Sequence, residues 1–210
     1  MEINLIISII LSYFVGSIPT GLWLTKLLKG IDIRTVGSGS TGGTNVTRIL
    51  GTKWGVFVII FDAIKGAISV LLANQLLSSQ NNILLIISAS IFSVIGHIWT
   101  IFANFKGGKG IATSLGFLLA LRPIETLIAF SVFIAVFLIF RIVSISSLSA
   151  ALSLLFIYPI KFYFLHAYSY YDFIIYFILM FLLNIIVFYT HRENIKRLLK
   201  GEEKKLVFKK

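Results

Sequence analysis

Seven apolar runs, separated by short polar loops, occupy most of the chain: residues 3–28, 54–77, 83–105, 111–121, 124–140, 142–160 and 173–190. A helix needs about 20 such residues to cross the hydrocarbon core of a bilayer. Every run but the fourth reaches or approaches that length. Lipid accepts only spanning structures whose backbone groups bond internally, so the pattern predicts membrane helices. Composition agrees. Of 210 residues, 58% are hydrophobic and 13% charged, with a mean hydropathy of +0.97, whereas a soluble domain carries about a quarter charged residues. A soluble enzyme, a disordered tail and a secreted disulfide scaffold are excluded. Absence of cysteine removes disulfides, cysteine-bound zinc, iron–sulfur clusters and thiol catalysis. Three histidines and eight acidic residues leave little for a metal cage.

The basic residues set an orientation. With all seven runs crossing and the N-terminus outside, the inner segments hold Lys26, Lys29, Arg34, Arg48, Lys53, Lys106, Lys109, Arg141 and eight residues of the tail, 16 of the 19 Lys and Arg. Arg122 and Lys161 fall outside, and Lys65 lies within the second run. Were the short fourth run not to cross, the basic tail would face outside. It therefore reads as one arm of a tight hairpin with the fifth, its start at Lys109 and Gly110 dipping into the membrane within protein. The first run lacks a positive flank and a small-residue cleavage site, so it reads as a retained span. The expectation is an all-α polytopic integral membrane protein of about seven transmembrane helices, one domain over residues 1–210, N-terminus outside and C-terminus cytoplasmic. The net charge of +11 is then mainly topological and meets anionic membrane lipids. No nucleic acid is expected as a partner. Ile195, Leu198 and Leu199 repeat at helical spacing among cations, which suggests an amphipathic helix on the cytoplasmic surface.

Three polar constellations fall on that cytoplasmic side. The first covers residues 35–48 and contains Gly37, Ser38, Gly39, Ser40, Thr41, Gly42, Gly43, Thr44, Asn45 and Arg48. Closely spaced glycines let successive N–H groups converge on an anion, hydroxyls add donors, and Arg48 can grip a phosphate with two hydrogen bonds. Asn45 and Arg48 are expected near the start of the second long helix, where the dipole is positive. The Gly-Lys-Ser/Thr ending of a nucleotide-binding loop is missing. The second constellation is Gly96-His97 followed by Phe105, Lys106, Gly107, Gly108, Lys109 and Gly110. Glycines on both sides of Lys109 are more than a membrane anchor needs. The third is His191-Arg192-Glu193-Asn194 with Arg197, Gly201, Glu202 and Glu203, where His191 and Asn194 share a helical face. Asp62 and Lys65, three apart inside the second run, read first as an intrahelical ion pair and second as a cation near the substrate.

Taken together these residues resemble the bacterial glycerol-3-phosphate acyltransferases that use acyl phosphate, the PlsY family. The likeness covers nearly the whole chain: Gly16-Ser17-Ile18-Pro19-Thr20-Gly21 in the first span, then the three constellations in order at suitable distances. Three positions depart from the family pattern: Ser40 where asparagine is usual, Gly43 where alanine is usual, and Thr100 in place of a proline after the histidine. Glu203 fits the third motif's glutamate slightly better than Glu202.

The resemblance implies transfer of a fatty acyl group from acyl phosphate to the sn-1 hydroxyl of glycerol 3-phosphate, giving lysophosphatidic acid and inorganic phosphate, the first acylation of phospholipid synthesis, at the cytoplasmic face of the bacterial inner membrane. Expected catalytic residues are Ser38, Arg48, Lys109, His191 and Asn194. Expected substrate-binding residues are Gly37, Gly39, Gly42, Thr44, Asn45, His97, Gly107, Gly108 and Gly110. No cofactor and no metal is expected. The expected partners are acyl phosphate, glycerol 3-phosphate and membrane lipids, with the enzyme that makes acyl phosphate as a candidate. The rival reading is a transporter or flippase for an organic phosphate. Transporter sites lie near the bilayer midplane between repeats, whereas these anion signals gather at one surface and the chain shows no internal repeat.

Overall fold

The computed structural model describes residues 2–77 and 83–206. Lys209 and Lys210 of the basic tail lie outside the described residues. Among those residues every regular element is helical: α1 (Glu2–Ser17), α2 (Thr20–Lys29), α3 (Gly43–Leu50), α4 (Thr52–Leu77), α5 (Ile83–Ile98), α6 (Ile111–Leu121), α7 (Pro123–Phe140), α8 (Val143–Tyr163), α9 (Tyr170–Thr190) and α10 (Arg192–Leu199). Among the described residues six segments are long and apolar enough to cross a membrane: Ile3–Lys29, Thr52–Leu76, Ile86–Ala103, Pro123–Phe140, Val143–Tyr163 and Tyr170–Thr190. The all-helical, polytopic class expected from the runs is therefore present. The fourth run is the separate helix α6 of 11 residues, which rises about 16 Å, roughly half a hydrocarbon core.

Local chemistry places the helix ends. Pro19 has no N–H to continue a helix, so the first run divides into α1 and α2 at Ile18-Pro19. Pro123 starts α7 at a position where its missing N–H costs nothing. Ser169 caps α9 by accepting the Asp172 N–H at 3.1 Å. The tail helix expected from Ile195, Leu198 and Leu199 is α10.

The helices form two compact units, one running through Leu121 and the other covering Arg122–Leu206. In the first, α1 packs on α4 and α5, and α4 carries α3 and α6. Small residues allow the close crossings. A Cβ on Gly16 would come within 2.0 Å of the Ser93 carbonyl oxygen, and one on Gly116 within 1.7 Å of the Ala63 carbonyl oxygen. Lipid gives no hydrophobic drive between helices, so such backbone approach is what holds them. In the second unit α8 packs on α7 and α9. Glu125 there accepts hydrogen bonds from Lys161 and Tyr168, and the Arg122 guanidinium lies 3.9 Å from the Tyr176 ring centre.

Gly116→Val should push α4 from α6. Overpacking of this kind costs about 1–3 kcal/mol, read as a lower melting temperature in detergent. An unchanged melting temperature would contradict the close crossing.

Candidate active site

The first glycine-rich loop is built around one side chain. Asn45 is 1% exposed. Its Oδ1 accepts the Ser38 N–H at 2.9 Å, and its Nδ2 donates to the carbonyls of Ile33, Val36 and Ser40 at 3.2, 3.1 and 2.9 Å. The loop folds around it with Gly37 and Gly39 at φ +67° and +72°, a left-handed region that favours glycine. A Cβ on Gly37 would also lie 2.1 Å from Asn45 Oδ1. Ser38 stands exposed at the tip, and the loop runs through Gly42 directly into the N-terminus of α3. Thr44 and Asn45 sit in the first turn of α3, while Arg48 is half-buried in its last turn. This differs from the sequence expectation, which put Asn45 and Arg48 at the start of the long second helix. Gly51, at φ +94°, lets the chain turn between α3 and α4, so Arg48 belongs to a short helix of its own.

The second loop is held by backbone bonds instead. The Gly107 and Gly108 N–H groups donate to the carbonyls of Ile98 and His97, each at 3.0 Å. Gly110 (φ +82°) then leads into α6. Lys109 is half-buried just ahead of that helix N-terminus. In the first turn of α6 the buried hydroxyls of Thr113 and Ser114 have no hydrogen-bond partner among the described residues. Both loops therefore feed helix N-termini, where unpaired N–H groups and the dipole favour anions.

Arg34 joins the segments that lead into the two loops. Its Nη2 pairs with Asp32 Oδ2 at 2.6 Å and its Nη1 donates to the Ala103 carbonyl at 2.7 Å. The Arg34 hydrogen bond holds the Asp32 carboxyl down to about 2. Ile33, Val46 and Ala103 share one buried apolar cluster beneath them. Sequence reasoning counted Arg34 only as a topological charge; the signal was an Asp-x-Arg pair just ahead of the glycines.

His97 is 7% exposed at the end of α5. Its Nδ1 lies 3.3 Å from Lys65 Nζ, and a Cβ on Gly108 would sit 2.1 Å from its Nε2. The ion pair expected within the second run is present, Lys65 Nζ to Asp62 Oδ1 at 2.8 Å. Lys65 also donates to the carbonyls of Gly16 and Ile18 at 3.2 and 2.7 Å. These charges, which would also suit a transport path, are thus spent on protein groups.

In the second unit, His191 joins α9 to α10 and is 2% exposed. Its Nδ1 is 2.8 Å from the Val187 carbonyl, which requires an N–H at Nδ1 and leaves Nε2 as the acceptor nitrogen of the neutral ring. Asn194, in the first turn of α10, donates to Glu203 Oε1 at 2.6 Å, and Arg197 and Ser144 hold the same carboxylate at 2.6 and 3.0 Å. Glu203, not its exposed neighbour Glu202, is the anchor of this segment. Burial works against its charge, but the bonds from Asn194, Arg197 and Ser144 outweigh burial and keep its carboxyl below the usual range. Ser144 gave no sequence signal beyond a serine-rich helix start.

These features define a class: a polytopic membrane protein with paired glycine-rich, cationic loops at helix N-termini. The family model described as glycerol-3-phosphate acyltransferase matches residues 6–201. A glycerol-3-phosphate acyltransferase of Fusobacterium nucleatum is 40% identical over 200 residues, covering 95% of this chain and 97% of that protein. One from Chlorobium phaeobacteroides strain BS1 is 39% identical over 232 residues, covering 98% and 97%. A crystal structure of PlsY (YgiH), an integral membrane glycerol 3-phosphate acyltransferase, in its glycerol 3-phosphate form, has a TM-score of 0.84 at 38% identity, covering 97% of this chain and 96% of that one. Its lysophosphatidic acid form has a TM-score of 0.81 at 37% identity, covering 97% and 95%. The chain belongs to the glycerol-3-phosphate acyltransferase family, that of PlsY.

Asn45→Asp keeps the acceptor for Ser38 but loses the donors to three carbonyls. It should lower kcat/KM by about 100-fold in folded protein; activity within about threefold of wild type would show that the loop does not depend on Asn45. Because the Glu203 pKa is lowered on folding, its contribution is complete above the usual carboxylate range and is lost as pH falls through the lowered value. Exchange protection of the Leu206 amide, which donates to the Arg141 carbonyl at 2.7 Å, should therefore persist at about pH 5 and fall in stronger acid. Glu203→Gln should weaken it at neutral pH, and pH-independent protection would count against the carboxylate anchor.

Proposed function

We propose that the chain transfers a fatty acyl group from acyl phosphate to the sn-1 hydroxyl of glycerol 3-phosphate, releasing lysophosphatidic acid and inorganic phosphate. The observation that carries this reading is the pair of glycine-rich loops, each entering a helix N-terminus, with Arg34 joining the segments that lead into them. Two phosphorylated reactants need two anion seats, and cations there offset the repulsion between them. In this reading Ser38, Arg48 and the backbone of Gly37, Gly39 and Gly42, with Thr44, hold one phosphate. Lys109 and the backbone of Gly107, Gly108 and Gly110 hold the other. Asn45 and His97 act on the loops they support. In the second unit this reading takes the Nε2 of His191 as a proton acceptor and Asn194 as an orienting group.

Acyl phosphate is already activated, so the glycerol hydroxyl oxygen attacks the acyl carbon directly. The bond from that carbon to the phosphate oxygen breaks, and phosphate leaves with the electron pair. The hydroxyl proton passes to the departing phosphate or to His191. Holding the hydroxyl against the carbon supplies up to about 7–11 kcal/mol, and fixed donors stabilise the developing negative charge.

The basic residues favour seven crossings, α6 included, with the N-terminus outside and the loops at the cytoplasmic face of the bacterial inner membrane. There a greasy donor and a water-soluble acceptor can meet. One family model spanning both compact units supports a single acyltransferase domain. An enzyme making acyl phosphate, an unstable donor, is the partner this chemistry calls for.

The detergent-solubilised protein should release phosphate from acyl phosphate only when glycerol 3-phosphate is added. Ser38→Ala and Arg48→Ala should each remove that release while still inserting and folding. Full activity in either variant rejects the site, and acyl chain trapped on Ser38 rejects direct attack. A transporter would need sealed vesicles and form no lysophosphatidic acid.

A further inference from the structure

Proline at position 19 ends α1 within the apolar part of the chain. The last carbonyls of a helix need partners, and inside a membrane no water supplies them. The chain answers with side chains from two other helices. Lys65 of α4 bonds the Gly16 and Ile18 carbonyls at 3.2 and 2.7 Å, and the Thr100 hydroxyl, just beyond α5, bonds the Ser17 carbonyl. Asp62 balances the lysine charge at 2.8 Å and accepts the Thr20 hydroxyl at 3.3 Å from the first turn of α2. His97 Nδ1 lies 3.3 Å from the same ammonium, and its ring fills the space beside Gly108. All three side chains are buried: Asp62 is 2%, Lys65 5% and His97 7% exposed.

We propose that Asp62, Lys65 and His97 are positioning residues for the acyl-transfer reaction: a buried ionic latch that locks the broken first span to α5 and, through the His97 ring, seats the Gly107-Gly108-Lys109-Gly110 loop. Lys65 meets no substrate in this arrangement. Four acceptors already surround its three N–H groups, two of them backbone carbonyls that a substrate could not displace without unsealing α1. The latch transmits to the loop at two points. The Gly108 N–H is bonded to the His97 carbonyl, and the Gly108 Cα faces the His97 ring too closely for any side chain. A shift of the ring therefore moves the backbone just ahead of Lys109. The proposal rests on the acyltransferase reading for its consequence, which is affinity for one of the two phosphorylated substrates.

The test compares Asp62→Asn, Lys65→Met, His97→Ala and His97→Asn with wild type. Steady-state phosphate release is measured against each substrate in turn. A misplaced loop should raise KM for one of them by about tenfold or more in the first three variants, with kcat within about threefold. His97→Asn, which offers an acceptor near the Nδ1 position, should recover part of that loss. KM is independent of the amount of folded enzyme, and Asp62→Asn is nearly isosteric, so a poor yield of Lys65→Met does not remove the readout. Unchanged KM for both substrates with only a lower yield or melting temperature would overturn the proposal and leave a purely structural ion pair. A collapse of kcat at unchanged KM would overturn it too, since that places the group at the reacting atoms. Wild type that releases no phosphate would instead refute the acyltransferase reading. The latch is then judged by the thermal stabilisation that glycerol 3-phosphate or inorganic phosphate gives: a shift present in wild type and lost in the variants supports it, and equal shifts or none reject it.

Discussion

A helix that breaks inside a bilayer must have its carbonyls answered by protein, and the first unit is arranged around that demand. Pro19 opens α1, and Lys65 and Thr100 close it again from α4 and the end of α5. Lys65 is tolerable at that depth because Asp62 stands beside it and every donor has an acceptor. A close glycine crossing of α1 with α5, and the packing of α1 on α4, bring the three helices near enough for this capping to occur. The same contacts deliver His97 to the base of the second glycine-rich loop.

The loops themselves follow a shared plan. Each is too rich in glycine to hold a shape by propensity, and each is held by hydrogen bonds to groups outside its own glycines. Asn45 gathers the Ser38 N–H and the carbonyls of Ile33, Val36 and Ser40, and the carbonyls of Ile98 and His97 accept the Gly107 and Gly108 N–H groups of the second loop. Arg34 then ties the segments leading into them together through Asp32 and the Ala103 carbonyl. Asn45 and Arg34 thus spend their own polar atoms on the scaffold. Glu203 plays the comparable part in the second unit, gathering Ser144, Asn194 and Arg197.

Much of the plan can be read in the residues. The apolar runs mark the membrane helices, since hydrophobic length is set by bilayer thickness alone. Glycine spacing marks the loops, and an acid–base pair three apart inside an apolar run marks Asp62 and Lys65. Harder to read was the division of labour. Asn45 looked like a substrate ligand because an asparagine beside four glycines has the right chemistry; only its burial and four partners show that it organises the loop. Asn45 and Arg48 looked like the start of the long second helix because Gly51 was not read as the end of a separate short one. The bonds from Arg34 to the Ala103 carbonyl, from Thr100 to the Ser17 carbonyl and from Ser144 to Glu203 were silent because each joins residues far apart in sequence.

By itself, then, the sequence determined the all-helical membrane class, the run boundaries, and the position of three polar motifs, because each depends on local composition and short-range geometry. Which polar side chain supports and which one faces outward was decided by tertiary structure alone. Hydrogen-bonding capacity is finite, and a side chain's partners across tens of residues determine how much of it remains for a ligand.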